Sequence, residues 1–268
     1  MSNDVQDLAA RAGRSDSLEL LARIGYAASG LIHLLIAWIA GQVALGGSGE
    51  ADQSGALEQI SGTPVGGVLL WVCAAGFAAL AIWHLVEAAV PHRGSTKDQL
   101  LDRGKAVAKA VVYGVLGWTT FQVVTGQGAD SGESTTSATA TLMQAPAGRI
   151  LVGVVGLVVL GVGAYHVYKG VTRKFLEDLK GTGGREVTRA VEMLGVTGYS
   201  AKGVALGIVG ALIGVAALQA DPDQETGLDA ALKTLQDQPF GWILLLLVAI
   251  GLAAYGIYSF ARARYSTM

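Results

Sequence analysis

The chain has 268 residues, 51% hydrophobic and only 15% charged, against roughly 25% charged in an average soluble domain. The charges cluster and leave six apolar stretches, at 21–45, 67–90, 106–125, 150–171, 196–218 and 242–261. Each is long enough to cross a hydrocarbon core about 30 Å thick, and helices apolar on every side have no solvent face, which argues against a soluble bundle.

Residues 1–19 read as a polar tail without the apolar core of a signal peptide, so the first span is expected to act as an uncleaved anchor. Beyond the tail the chain divides into three units, 20–95, 96–180 and 181–268. An offset of 80 places Trp38 on Trp118 and Gln42 on Gln122, and a further 93 places Lys109 on Lys202. The second half of each unit opens on Pro64-Val-Gly66, Pro146-Ala-Gly148 or Pro239-Phe-Gly241, and from these prolines Trp83 matches Tyr165 and Tyr258, while His84 matches His166 and Ser259. The predicted fold is all-α: a polytopic membrane protein of six helices, arranged as three tandem hairpins with a pseudo-threefold repeat.

Seventeen of the 19 Lys and Arg lie toward one side, in the N-terminal part, the segments 91–109 and 169–202 and the C-terminal part, where they face 11 acids, a net of +6; the three loops opposite hold Arg149, Lys233 and ten acids, a net of −8. The positive-inside rule predicts that both termini are cytoplasmic in a bacterial cell membrane. Cys73, the single cysteine, falls inside the second span and reads as a small buried hydrophobe.

Ahead of each Pro-x-Gly stands a short stretch suited to a helix on the outer surface. Thr226-Gly-Leu-Asp229 reads as a variant capping box with Leu232 and Leu235 on one face; Ala56, Leu57 and Ile60 repeat the pattern, and Ala138 with Leu142 does so more weakly. The expected role is an interfacial helix that closes the hairpin, with a lid over a vestibule as the alternative. Proline suits the opening of the returning helix. Between the second and third units, residues 169–193 are basic and partly amphipathic, fitting an anionic inner leaflet. The glycine-rich 181–184 follows no strand and lacks Gly-Lys-Ser/Thr, which excludes a phosphate-binding loop.

Gly203, Gly207, Gly210 and Gly214 fall on one helical face and offer a bare backbone strip. Gly30, Leu34, Ala37 and Gly41 occupy it in the first copy, and Ala110, Gly114, Gly117 and Phe121 in the second. Read with its copies, the strip joins repeats within one chain and places the first helices at the centre. Leucine at Gly207 or Gly210 is expected to disrupt folding more than Leu34→Ala.

At these repeated positions the chain resembles a bacterial membrane family catalogued as domain of unknown function 1206. The resemblance is carried by Arg23-Ile-Gly-Tyr26, Gly30, the Pro-x-Gly openings, Gly251-Leu-Ala-Ala-Tyr255-Gly256-Ile-Tyr258 and Ala261-Arg262-Ala263-Arg264-Tyr265, over residues 20–265. The second copy departs most, with Gly104-Lys-Ala-Val107 in place of Ile24-Gly-Tyr-Ala27, and the third has Val196 where the arginine would stand. The resemblance implies a fold and a location, and no activity.

Polar residues within a bilayer are costly and mark candidate sites. His84 and His166 share a depth, which permits axial ligation of a b-type haem, but Ser259 breaks the set and His33 lies nearer mid-membrane. Hydrogen bonding inside the bundle is the simpler use, and no cofactor or metal is expected. Glu87, Lys169 and Arg262 are equivalent one turn further on, and their convergence makes either a structural clamp or an ion path. Gln42 and Gln122 suit interhelical hydrogen bonds; Trp38 and Trp118 lie rather deep for interfacial anchors. Ser29 and His33 share a helix face, yet no nucleophile motif surrounds Ser29 and no acid orients His33. The expected function is a non-enzymatic structural or accessory membrane component, touching lipids and a membrane protein partner but no nucleic acid; a solute or ion pathway is the alternative and a haem-binding redox subunit the remote one.

Overall fold

The computed structural model describes residues 16–63, 66–89, 96–126, 131–144, 147–180, 184–221 and 223–266. Pro64, Pro91, Pro146 and the glycine run at 181–183 lie outside them. The helices are α1 (Asp16–Ala44), α2 (Gln53–Ser61), α3 (Gly66–Ala89), α4 (Thr96–Val124), α5 (Ser131–Gln144), α6 (Gly148–Val171), α7 (Arg185–Gln219), α8 (Leu228–Gln236) and α9 (Gly241–Tyr265), with a 3-10 turn at Lys174–Asp178. No strand occurs among the described residues; a single bridge pairs Leu179 with Ser266. Six helices (α1, α3, α4, α6, α7 and α9) are long and apolar enough to cross a membrane. They begin and end close to the expected spans, except that α4 and α7 start ten and eleven residues earlier. Charged residues such as Lys105 and Arg189 are compatible with helix once outside the hydrocarbon.

Two compact units result. One contains α1 up to Ser29 together with α3 and α4; the other contains α1 from Gly30, α2 up to Gln59, and α5 to α9.

Within the second unit α6 and α7 pack antiparallel with backbone against backbone. A methyl group added at Gly203 would lie 2.6 Å from the Gly163 carbonyl oxygen, and one at Gly210 2.5 Å from the Leu160 nitrogen. From the α6 side, methyl groups at Gly156 and Gly163 would meet the nitrogens of Gly214 and Gly207 at 2.9 and 2.7 Å, and Gly170 rests on Tyr199 and Ser200. Contacts step by seven residues along both helices. Lipid is as apolar as leucine, so helices in it associate through such close van der Waals contact rather than by exclusion of water. The same approach joins α1 to α9, where a methyl at Gly30 would fall 2.8 Å from the Gly256 carbonyl oxygen. Gly30 and Gly203 are repeat equivalents, and Gly163 and Gly256 each follow their proline by seventeen residues. In the first unit Gly117 of α4 faces Ala78 and Ala74 of α3, the positions matching the Leu160 and Gly156 that Gly210 meets on α6. Each first helix therefore lays its strip on the second helix of another repeat, which corrects the expectation that the strips gather the first helices together.

The glycines of the strip are not equivalent. Methyl groups at Gly41, Gly114, Gly207 or Gly214 would enter open space. A seven-residue contact step brings alternate glycines against the partner backbone and leaves the others on the flank. Hairpins within a repeat use other glycines: Gly25 against Gly76 in the first unit, Gly198 and Gly251 between α7 and α9 in the second.

The short helices pack more firmly than solvated interfacial ones. Ala56, Leu57, Ala231 and Leu232 are fully buried, Asp229 accepts a hydrogen bond from the Ala51 N–H at 2.9 Å, and the Gln236 amide donates to the Val43 carbonyl at 3.1 Å. The weak second copy is looser, with Ala138 and Leu142 exposed. The capping box does not form. Gly227 occupies the N-cap of α8, and Asp229 serves Ala51 and Lys233 instead, holding the Lys233 ammonium above its ordinary pKa by hydrogen bonding.

The Pro-x-Gly motif is a reversal rather than a first turn. Ala147 and Phe240 adopt the left-handed conformation, at φ 61° in both, and the helices start at the glycine. A methyl at Gly66, Gly148 or Gly241 would lie within 2 Å of the Ile60, Leu142 or Gln236 carbonyl oxygen. The preceding short helix thus ends directly on the glycine.

Three sets of substitutions test this packing by thermal unfolding in detergent. Alanine at Gly203 or Gly210 is expected to lower the melting temperature, by an overpacking cost of about 1–3 kcal/mol. Alanine at Gly207 or Gly214 leaves it unchanged or higher, since glycine inside a helix costs roughly 0.5–1 kcal/mol relative to alanine. Gly241→Ala, which collides with backbone, should be among the most destabilising single substitutions in the chain.

Candidate functional site

One cluster of polar and aromatic side chains of the second unit lies at the end of the spans where Lys and Arg concentrate. After α6 the chain turns through Arg173, in the left-handed conformation, into the 3-10 turn, which carries Phe175 into a fully buried position. Phe175 stacks on Tyr199 at 5.5 Å and meets Tyr258 edge-on at 5.3 Å, while Tyr255 packs edge-on to Tyr199. The Tyr258 hydroxyl donates to the Phe175 carbonyl at 3.2 Å. Aromatic pairs of this geometry contribute about 0.5–1.5 kcal/mol beyond their buried area.

Asp178, at the end of the turn, lies 2.6 Å from the Lys169 ammonium of α6 and 3.7 Å from the Arg262 guanidinium of α9. The loop then runs alongside the end of α9, with the Lys180 N–H donating to the Tyr265 carbonyl at 2.7 Å. The clamp expected of Glu87, Lys169 and Arg262 therefore has Asp178 as the carboxylate common to both bases. Glu87 belongs to the first unit and lies 2.6 Å from Nδ1 of His84, three residues back on its own helix. Asp178 escapes a reading based on spans because it lies outside them, and Glu177 beside it in the same turn leaves nothing local to single it out.

The histidines have separate uses. His166 donates from Nδ1 to the Val162 carbonyl at 2.8 Å and lies 5.8 Å from the Tyr199 ring. His33 lies with Nε2 3.2 Å from the Lys202 ammonium and its ring 4.8 Å from Tyr255, and Lys202 stands 4.2 Å above that same ring. This cation–π contact within the spans lowers the cost of a lysine there. Lys202 and Tyr255 enter the sequence reading as a repeat match and a motif residue and not as site candidates, although Lys202 falls six residues inside the fifth apolar stretch.

In the first unit His84 is buried, with its ring stacked on Tyr113 at 5.5 Å. Among the described residues its Nε2, which is buried, has no hydrogen-bond partner. His84 and His166, the pair considered for haem, lie in different units. Among the described residues no three His, Cys, Asp or Glu side chains converge as metal ligands would.

At the opposite end, Gln42 is exposed and Gln122 half-buried. Trp38 and Trp118 are about 60% exposed. Arg149 donates to the carbonyls of Ala217 and Leu218, satisfying the last turn of α7.

Sequence comparison returns the same threefold division. The Bacillus subtilis (strain 168) protein described as "Uncharacterized protein YxxB" is 29% identical over 249 residues, which cover 92% of this chain and 90% of that protein. No solved structure matches the chain. Three successive segments, at 24–90, 104–173 and 197–266, match one family model. The chain belongs to the family described as Domain of Unknown Function (DUF1206).

Proposed function

We propose that the protein is a non-enzymatic structural or accessory component of the bacterial cell membrane, with both termini on the cytoplasmic side. The observation that supports this reading is the shared use of Asp178. Lys169 and Arg262 are the bases that would front a pathway at that end, and both are committed to fastening a loop across the ends of α6 and α9. His166 and Lys202 are likewise engaged within their own unit. The charge asymmetry between the two sides supports the orientation.

One observation favours a pathway for a solute or ion as the second reading. His84 is a buried ring with Nδ1 on Glu87 and Nε2 open, a polar arrangement that costs free energy in an apolar setting unless a ligand or water completes it.

Reconstitution distinguishes the two. Proteoliposomes are expected to show the same proton and cation flux as protein-free vesicles, and Glu87→Gln to leave that background in place; flux above background that Glu87→Gln alters would establish the pathway. Asp178→Asn should cost roughly 2 kcal/mol of stability, between the values typical of exposed and buried pairs, without opening conductance. Co-purification of a stoichiometric membrane protein from native membranes would identify the partner that the accessory role requires.

A further inference from the structure

A cleft of about 740 Å³ lies between the exit of α6 and the first turns of α7 and is lined by Arg173, Arg185, Thr188, Arg189, Glu192, Met193, Val196 and Thr197. Its position follows from helix length. At 1.5 Å per residue the 35 residues of α7 measure about 52 Å, well beyond a hydrocarbon core of about 30 Å. The far end of α7 is fixed by Arg149, and Gly170 in the last turn of α6 packs on Tyr199 and Ser200. The surplus, residues 185 to about 198, therefore projects past the end of α6 into the headgroup layer on the basic side.

Along this projection the lining is graded. Val196 and Met193 come nearest the hydrocarbon, and Met193 is 68% exposed. Arg189 and Arg185 follow one and two turns farther out. Arg173 closes the other wall, fixed by its ion pair with Glu192 at 2.6 Å. Glu192, the carboxylate in the lining, is thus already neutralised, which leaves Arg185 and Arg189 to act on a ligand. Guanidinium forks match the paired oxygens of a phosphate, and apolar side chains beneath them match the start of an acyl chain.

We propose that this cleft binds the phosphate of an anionic phospholipid, with the arginines on the headgroup and Met193 and Val196 against the glycerol and upper chain. The chemistry is that of any phosphate; the grading from apolar to basic along the membrane normal selects a lipid as its source. The site is independent of whether the chain is an accessory component or a pathway.

The test titrates full-length protein in detergent with short-chain phosphatidylglycerol, phosphatidylcholine or inorganic phosphate, and counts retained lipid by native mass spectrometry. The double variant Arg185→Gln/Arg189→Gln is compared with a charge-matched pair at the same end, Lys174→Gln/Arg264→Gln. All four side chains are exposed, so both variants should melt with the wild type. The wild type is expected to prefer phosphatidylglycerol; the cleft variant, which loses two guanidinium–phosphate contacts, should weaken that binding about ten-fold or more, and the control pair, which loses none, by less than about two-fold. Equal weakening by both pairs would reduce the effect to diffuse surface charge and overturn the proposal. Equal affinity of the wild type for phosphatidylcholine, or displacement of phosphatidylglycerol by inorganic phosphate at comparable concentration, would overturn it as well.

Discussion

The structure depends on helix backbones touching where no side chain intervenes. In water, burial of apolar surface would drive helices together; in lipid that drive is absent, and contact at van der Waals distance between Gly163 and Gly203, or Gly30 and Gly256, takes its place. Such contacts are unforgiving, since one added methyl group falls on a carbonyl oxygen. They also explain the composition. The chain has 38 glycines, and those of the α6–α7 pair recur at the seven-residue step that near-antiparallel helices share.

The polar residues are subordinate to this scaffold. Close backbone packing brings α6, α7 and α9 together, and the residues at their basic end, Lys169, Lys202, Tyr199, Tyr255 and Arg262, must then find partners among themselves or in the connecting loop. Asp178 supplies the countercharge and Phe175 the apolar plug. The polar groups repeat in part: Lys169 and Arg262 share Asp178, and His166 and Ser259 each donate to the carbonyl four residues back, whereas in the first copy Glu87 and His84 lie against each other.

Spans, repeats and family were legible in the sequence because hydropathy, glycine spacing and the Pro-x-Gly motif are local and each occurs three times. The direction of each glycine was less legible. Gly207 and Gly210 are three residues apart on the same strip, yet only Gly210 points its missing Cβ at a neighbouring backbone. That distinction depends on the crossing of α6 and α7, where α6 contributes Gly156, Gly163 and Gly170, a ridge that the reading of α7 alone passed over. Thr226 and Asp229 show the opposite error. Their spacing fits a capping box, but a tertiary acceptor need at Ala51 claims the carboxylate. Asp178 was invisible because its importance comes from two bases separated from it by 9 and 84 positions in the chain.

The loop after α6 is fastened to residues at the end of α9: Lys180 to Tyr265, Leu179 to Ser266, Phe175 to Tyr258. All three partners follow the loop by more than 80 positions in the chain. During synthesis α6 and α7 can pair through their glycines before α9 is made, and the Asp178–Lys169 pair and the Phe175–Tyr199 stack can form with them, whereas the Arg262 pair and the ring contacts of Tyr255 and Tyr258 wait for α9. Anchorage of the loop is thus the step of assembly that depends on α9.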